Sequence, residues 1–388
     1  MMLDKPGAVV IEGHVQGLSN LRILAKAGIP TVVVDKGDCI ARYSKYCRGF
    51  YRSPEYIDDS FADFLLDLAK KENLHGWLLM PSNDHAVYSL AKHQQRLEMV
   101  YKFLIPPIET YAKIYDKSRL LTLAQELGIP IPKTAYFSTS TLESVNLSFP
   151  VLTKGKTGLS FYKKFGKKAI VAKDYQELQR CLRQIEKTIP LSETFTQEII
   201  PFDGSNRTVS FTAFCVNGEI KTFWMGAKLR EHPLQFGTAT FCESVFEQAC
   251  LDHSVPLLRA LNYTGVCEIE YLRDPRDGQF KLIELNARTW LWVGLAAACG
   301  VEFPLYVYNY VNGIPSIYPT DYPVGMRWRN FWTDTVFSMQ AILTGKLRVS
   351  EYLKSLQGEG LIDAVRDKDD PSPFRIMTLC LPKLLLQR

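Results

Sequence analysis

The sequence predicts an α/β protein that opens with a parallel βαβ unit and continues into a larger region built on antiparallel hairpins. The first observation is the order of an apolar run at 8–11, a glycine turn, a helical pattern and a second apolar run at 31–35. This order is typical of two parallel strands joined by a helix. The second is a pair of alternating segments, 263–272 and 280–288, separated by a turn that contains Pro275 and Gly278. Alternation with β-branched and aromatic residues predicts two paired strands.

Composition indicates an ordinary globular chain of two or three domains. The 388 residues can bury a large core, and a net charge of +5 without a long basic block gives no indication of nucleic-acid binding. Nine cysteines lack the spacing of a metal site, which favours reduced thiols and a cytoplasmic location. The first residues lack the apolar run of a signal peptide, and no stretch approaches the ~20 apolar residues of a membrane span.

The N-terminal unit offers two weak indications of a ligand. Gly13 and Gly17 do not complete the G-x-G-x-x-G pattern, so a dinucleotide site has little support. A strand at 77–80 is followed by Ser82 and Asp84, at the carboxyl end where open α/β sheets bind ligands. These residues are candidates for substrate contact, but capping of the next helix explains them at least as well.

Basic residues recur at predicted element ends in the middle of the chain. Asp116 is the expected N-cap of a helix, with Lys117 in the first turn, where the helix dipole disfavours a cation. This placement suggests an anionic partner, although a plain surface lysine is the commoner case. A strand at 149–154 ends in Lys154, and the glycine- and lysine-rich segment 155–168 follows. A flexible basic loop of this kind could cover a polyphosphate or form a solvated hairpin tip.

The most informative stretch is the pair of strands at 263–272 and 280–288. Side chains two apart share a strand face, so Glu268 lies beside Glu270, and Glu284 beside Asn286. Antiparallel pairing is expected to bring Glu270 close to Glu284. Carboxylates held together repel unless a cation is present, and hard oxygen ligands of this kind suit Mg²⁺. The alternative is a solvated charged face, which short motifs alone do not exclude.

The order of these segments resembles the ATP-grasp superfamily. It comprises Asp116-Lys117, 150–154 ending in Lys154, 197–200, Glu270 and Glu284-x-Asn286-x-Arg288, and the resemblance covers roughly residues 1–315. Within the superfamily the chain looks most like carboxylate–amine ligases of the D-aspartate ligase type, and more distantly like biotin carboxylase. The resemblance implies two α+β subdomains that clasp ATP, preceded by a Rossmann-like βαβ domain. The expected boundaries are 1–108 for that domain, 109–318 for the ATP-grasp domain with a mobile lid at about 135–200, and 319–388 for a C-terminal extension that packs on the core.

The resemblance also implies a role for each site residue. Lys117 and Lys154 are expected to bind the ATP phosphates, while Gln197 and the backbone of Glu198 and Ile200 hold the adenine. Asp203 is a candidate for the ribose hydroxyls. Glu270, Glu284 and Asn286 are the expected ligands of Mg²⁺, for which Mn²⁺ is a substitute. Arg288 is expected to face the substrate carboxylate and then the transferred charge, with Lys228 and Arg230 as further basic substrate contacts. The segment after Lys154 has fewer glycines than is usual in the family.

The implied function is that of an ATP-dependent ligase that joins a small-molecule carboxylate to an amine. ATP converts the carboxylate to an acylphosphate, and the amine then forms an amide or peptide-type bond, with release of ADP and phosphate. One alternative is a carboxylase or carbamoyl-phosphate-type enzyme that acts on bicarbonate, and the other is a non-catalytic ATP-binding protein. No nucleic-acid or membrane partner is expected, and a homodimer is compatible with the resemblance.

Overall fold

The computed structural model describes residues 5–137, 147–232, 237–357 and 360–380. Its strands are β1 Ala8–Ile11, β2 Thr31–Asp35, β3 Cys47–Arg52, β4 Leu78–Pro81, β5 Thr134–Tyr136, β6 Val151–Gly155, β7 Ile170–Ala172, β8 Thr194–Glu198, β9 Thr208–Val216, β10 Glu219–His232, β11 Thr238–Ser244, β12 Gly265–Arg273, β13 Phe280–Asn286, β14 Arg327–Arg329 and β15 Leu361–Asp363. Its α-helices are α1 Val15–Lys26, α2 Ser60–Glu72, α3 Asp84–Lys92, α4 Gln94–Glu98, α5 Ile108–Tyr115, α6 Lys117–Glu126, α7 Gly158–Phe165, α8 Tyr175–Glu186, α9 Gln248–Ala260, α10 Val293–Ala298, α11 Phe303–Val311, α12 Phe331–Leu343, α13 Val349–Ser355 and α14 Ser372–Leu379.

The N-terminal sheet is parallel, with the strand order β3-β2-β1-β4. Strands β1 and β2 are buried along their whole length, as expected of a parallel strand covered on both faces. The predicted βαβ unit is therefore confirmed. Because the strands run the same way, Glu12, Asp35 and Ser82 lie at one edge of the sheet, where each strand ends.

The largest sheet has seven strands in the order β13-β12-β9-β10-β11-β14-β15. The β9–β10 hairpin turns at Asn217 and Gly218, whose φ angles of 51° and 78° match the turn that an Asn-Gly pair favours. In the β12–β13 hairpin, Glu270 is paired with Glu284, as predicted, and Glu268 is paired with Asn286. The C-terminal residues do more than pack on this sheet, because β14 and β15 extend it at one edge.

A small antiparallel sheet, β5-β8-β6-β7, lies between these two sheets in the sequence and is covered by α7 and α8. The prediction of a flexible basic loop at 155–168 is wrong, because α7 occupies most of that segment. Phe161 and Phe165 are four residues apart, and their ring centroids are 4.6 Å apart on the helix face that meets the small core. The lysines around the two phenylalanines make this helical spacing hard to recognise in the sequence. Part of the predicted lid, residues 138–146, lies outside the described residues, and lid motion stays a prediction, as do the three domain boundaries.

Two helices follow strands of the large sheet. Helix α9 starts at Gln248, because Ser244 still belongs to β11. Helix α10 starts at Val293, and the preceding Trp290 and Trp292 are part of the core beneath β10. Within the described ranges, no helix is long and apolar enough to cross a membrane.

Candidate active site

The β12–β13 hairpin brings three carboxylates and one amide together on one face of the large sheet. The Asn286 Nδ2 donates to Glu268 Oε2 at 3.1 Å and to Glu284 Oε1 at 3.4 Å. The Ser210 hydroxyl on the neighbouring strand β9 donates to Glu268 Oε1 at 2.8 Å. The pairing of Glu268 with Asn286 and of Glu270 with Glu284 therefore creates a compact cluster of oxygen atoms, as the alternation in the sequence predicts.

Two lysines from other elements neutralise this cluster. Asp116 caps α6 by accepting from the Ser118 backbone N–H, and Lys117 in the first turn places its Nζ 2.6 Å from Glu284 Oε2. Lys228 on β10 places its Nζ 2.8 Å from Glu270 Oε1. The predicted N-cap at Asp116 is confirmed, and its consequence is that Lys117 points towards the acidic cluster.

The electrostatic state of the cluster differs from one carboxyl to the next. Burial and the Glu270 charge raise the pKa of Glu268 to about 7, although Lys228 opposes the shift. The Lys117 charge and hydrogen bond hold the pKa of Glu284 well below its usual value, against burial. Glu268 was not among the predicted site residues. Its place on the same strand face as Glu270 is the signal in the sequence that could have identified it.

Lys154 approaches the cluster from the small sheet, at the end of β6. Burial and the charge of Lys117 lower its pKa to about 8, although Glu284 and Glu270 partly offset the effect. Lys154 forms no ion pair within the described part of the chain, so its charge is compensated only at longer range. A half-buried cation of this kind, beside a second lysine, is suited to an anionic ligand.

Arg288 follows β13 and links the cluster to the N-terminal sheet. Its Nε and Nη2 lie 3.2 and 3.0 Å from Asp84 Oδ2, and its Nη1 donates to the Thr289 carbonyl at 2.9 Å. The charges of Asp84, Glu268 and Glu284 all favour the protonated guanidinium, against burial. The side chain that caps α3 is Asn83, which accepts from the Ala86 N–H at 2.8 Å. Asp84 is thus left to bind an arginine 204 residues away, a contact that short-range pattern cannot reveal.

Arg230, in contrast, does not reach the cluster. Its Nε and Nη2 bind the two carboxylate oxygens of Asp334 at 2.7 and 2.8 Å, and Nη1 donates to the Ser355 hydroxyl. The guanidinium also lies 4.0 Å from the centroid of Phe241. The guanidinium of Arg230 binds a fully buried carboxylate with two nitrogens and a hydroxyl with the third. The structure therefore gives no support to the expected contact between Arg230 and a substrate.

The residues expected to hold adenine and ribose lie on or just after β8. The Gln197 Nε2 donates to the Thr134 hydroxyl, and the Glu198 carboxylate binds Arg276 at 2.8 Å. The Glu198 N–H donates to the Lys133 carbonyl, so that donor is already engaged. Asp203 Oδ1 accepts from its own turn, at the N–H groups of residues 205 and 206, which keeps the pKa of this exposed carboxyl low. Ile200 is buried after the strand ends. The structure thus places these residues in the small sheet and the turn after it, and their roles stay predictions.

The donor chemistry fits a divalent cation, although lysines hold the carboxylates in this structure. Within the described ranges, no three His, Cys, Asp or Glu side chains converge as a metal centre. Burial, and then the neighbouring Glu270 charge, raise the pKa of Glu268, and a bound divalent cation would oppose both effects. Carboxylate and amide oxygens from Glu270, Glu284 and Asn286 are the ligand types that Mg²⁺ prefers.

Comparison with known proteins agrees with this arrangement. The family of the carbamoyl-phosphate synthase L chain ATP-binding domain matches residues 237–302, which contain the β12–β13 hairpin. D-aspartate ligase from Enterococcus faecium (strain Aus0004) is 25% identical over 268 residues, which are 64% of this chain and 62% of the relative. The chain therefore matches less than two thirds of the length of this curated relative.

Solved structures share the fold at low sequence identity. The Campylobacter jejuni biotin carboxylase complex with β,γ-ATP matches with a TM-score of 0.63 and 15% identity, over 82% of this chain and 74% of that chain. The L-amino acid ligase from Bacillus licheniformis matches with a TM-score of 0.57 and 16% identity, over 79% of this chain and 74% of that chain. The chain therefore has the ATP-grasp fold, and it resembles carboxylate–amine ligases of the D-aspartate ligase type.

Proposed function

We propose that this protein is an ATP-dependent carboxylate–amine ligase that works through an acylphosphate. The observation that carries the proposal is the meeting of three elements at Glu284. Lys117 from α6 binds Glu284 directly, and the charge of Lys154 from the small sheet acts on Glu284. Arg288 follows β13, the strand that carries Glu284. Anion-binding cations thus surround an oxygen cluster that suits a nucleotide-bound metal.

Mg·ATP is proposed to bind between the small sheet and the large sheet. Lys117 and Lys154 would meet the phosphate oxygens, and Glu270, Glu284 and Asn286 would hold Mg²⁺, which neutralises charge on the phosphates when bound. Lys117 now binds Glu284, and phosphate oxygens would compete for the same ammonium group. We therefore expect Lys117 to exchange its contact with Glu284 for a phosphate contact when the nucleotide binds, and Lys154 to gain a phosphate contact. The roles of Gln197, Glu198, Ile200 and Asp203 towards adenine and ribose stay part of the proposal.

Arg288 is proposed to position the substrate carboxylate. A carboxylate oxygen attacks the γ-phosphorus, so a P–O bond forms as the bond to ADP breaks. The amine nitrogen then attacks the acyl carbon, the C–O bond to phosphate breaks, and the nitrogen loses its proton. Negative charge develops first on the phosphoryl oxygens and then on the acyl oxygen, next to a guanidinium that the neighbouring carboxylates keep protonated against the effect of burial. Lys228, bound to Glu270, supplies a second fixed cation on the same sheet face.

Action on bicarbonate is the nearest alternative, because biotin carboxylase has the same fold. A likeness at 15% identity concerns the fold alone, whereas the match to D-aspartate ligase concerns sequence. We therefore favour an amino acid with a free carboxylate as the acid, with D-aspartate as the first candidate. A cytoplasmic location and a homodimer remain predictions.

Phosphate release from Mg·ATP tests the proposal. D-aspartate and a panel of D- and L-amino acids would be supplied as acids, each with and without a panel of amines, and bicarbonate would form a separate series. The proposal predicts phosphate release only when an acid and an amine are both present. Release that depends on bicarbonate favours a carboxylase, and Mg·ATP binding without release in any series favours a non-catalytic protein.

A further inference from the structure

Glu12 adopts a backbone conformation that an ordinary side chain avoids. It follows β1 with a φ of 71°, in the left-handed region, where glycine or asparagine would be less strained. The first turn of α1 packs closely on Glu12. A Cβ atom added to Gly17 in this turn would lie 1.9 Å from the Glu12 carbonyl oxygen. Strain of this kind persists only where the surrounding structure enforces it, and it occurs preferentially at functional sites.

Unpaired polar atoms gather at the same edge of the N-terminal sheet. Among the described residues, the hydroxyl of Tyr56, the Nδ2 of Asn83 and the Nδ1 of His85 are buried without a hydrogen-bond partner. Tyr56 is only 3% exposed, and burial together with the charges of Asp35 and Glu12 raises the pKa of its hydroxyl. Buried polar groups normally have partners, so the Tyr56 hydroxyl and the His85 Nδ1 are open to a ligand, whereas the Asn83 amide acts on Glu12.

The charge at this edge favours a cation. Asp35 is held by the N–H groups of Gly13 and Gly37, and Asp84 is held by Arg288. Glu12 forms no ion pair within the described ranges, and burial raises the pKa of its carboxyl, against the charge of His14 and the amide of Asn83. A half-buried carboxylate of this kind is destabilised until a positive group reaches it.

Glu12 is placed relative to the proposed active site by its interaction with Arg288. The Arg288 guanidinium interacts with Glu268 and Glu284 on the nucleotide side and with Asp84 and Glu12 on the side of the N-terminal sheet. The acidic cluster and Glu12 therefore both act on the residue proposed to hold the acyl group. An acceptor that reaches this group from the N-terminal sheet would meet Glu12, which lies where β1 ends.

We propose that Glu12, with Asn83 and Tyr56 beside it, binds the ammonium group of the amine substrate, so the acceptor is a primary amine that is protonated before it reacts. This inference rests on the proposed ligase function. Glu12 would bind the ammonium, and the Tyr56 hydroxyl oxygen would accept a hydrogen bond from the same group. The Asn83 Nδ2 can only donate, so its role is to hold the Glu12 carboxylate in place. The strained backbone then serves to direct this carboxylate at the acceptor.

Substitution of Glu12 by Gln tests the inference, because the shape and most hydrogen bonds are kept while the charge is lost. With an acid and a primary amine that support phosphate release, we expect the KM for the amine to rise on the order of 10- to 100-fold, the scale of one charge-assisted contact. The KM for ATP should not change. Glu109→Gln removes an exposed carboxylate on α5 and is the matched control, with an expected KM equal to wild type.

Hydroxylamine, a small and largely uncharged nucleophile, separates the possible failures. If an acylphosphate forms, hydroxylamine should trap it as a hydroxamate at equal rates in wild type and in Glu12→Gln. Equal hydroxamate formation with an unchanged KM for the primary amine would overturn the role of Glu12 while leaving the ligase intact. Calorimetry with ethylamine, L-lysine and L-alanine covers the case in which no hydroxamate forms and the ligase proposal fails. A primary amine that binds wild type at least 10-fold more tightly than Glu12→Gln then still supports the site, and equal or absent binding refutes it.

Discussion

At the scale of single residues, the structure changes the expected effect of removing Glu284 on stability. The predicted pairing of Glu270 with Glu284 suggests mutual repulsion, so a variant without Glu284 would be as stable as wild type or more stable. The Lys117 ammonium lies 2.6 Å from Glu284, however, and about a quarter of each side chain is exposed. Glu284→Ala would leave that cation without its partner.

We therefore expect Glu284→Ala to lose Mg·ATP-dependent turnover and about 1–2 kcal/mol of unfolding free energy, the scale of one partly buried charged hydrogen bond. Denaturant unfolding without nucleotide measures the stability, and phosphate release measures the turnover. The double variant with Lys117→Ala is the control, because removal of both partners should recover part of the stability. Wild-type turnover in Glu284→Ala would refute its place among the metal ligands.

Glu268 should make the stability of the metal-free protein depend on pH. Its pKa is raised from 4.5 to about 7, so between these values the folded state holds a proton that the unfolded state has released. The contribution of Glu268 to the unfolding free energy must then decrease as the pH rises through this window. Glu268→Gln should lose less stability than wild type between pH 4.5 and 7, with a difference of up to about 3 kcal/mol. Parallel pH profiles of the two proteins, measured by thermal unfolding, would contradict the assignment.

Arg288 should affect the chemical step more than nucleotide affinity. Arg288→Lys keeps the charge but loses the planar fork, so turnover should fall on the order of 10²-fold while ATP affinity changes little. Calorimetry and phosphate release on the same preparation measure the two effects. Asp84→Asn is the comparison, since it weakens the ion pair but leaves the guanidinium intact. If Arg288→Lys lowers thermal stability and leaves turnover unchanged, Arg288 only joins the two sheets.

At the scale of elements, local pattern was sufficient where a short stretch of sequence determines the structure. The βαβ unit, the Asp116 cap and the Glu270–Glu284 register follow from alternation and capping. Contacts between distant elements could not be predicted from local sequence pattern. The Asp84–Arg288 and Arg230–Asp334 ion pairs are examples, because only tertiary packing brings the partners together.

The small sheet is the element expected to move. Its own core is separate from the two larger cores and consists of few residues, among them Phe161, Leu178 and Leu182. A weakly packed unit can open with a low free energy. Hydrogen exchange of backbone amides in residues 147–198 should slow when saturating Mg·ATP is added, while exchange in β1 and β2 should stay constant. Equal exchange of 147–198 with and without the nucleotide would refute the lid.

At the scale of the whole molecule, all three sheets contribute charged residues around the acidic cluster and Arg288. The large sheet supplies the oxygen cluster, the small sheet supplies Lys154, and the N-terminal sheet supplies Asp84 and Glu12. The C-terminal residues complete the large sheet through β14 and β15 and hold Arg230 through Asp334. The expectation from the sequence was only an extension that packs on the core, because short edge strands of three residues leave too little alternation to detect.

The acylphosphate is the central claim, and transfer of oxygen from the acid to phosphate tests it most directly. An acid that supports phosphate release would be labelled with ¹⁸O in its carboxylate and incubated with Mg·ATP and the amine. Mass spectrometry of the released phosphate should show one ¹⁸O atom per phosphate, because the carboxylate oxygen that attacks ATP leaves with the phosphoryl group. Phosphate without the label, released at the rate of amide formation, would contradict the mechanism.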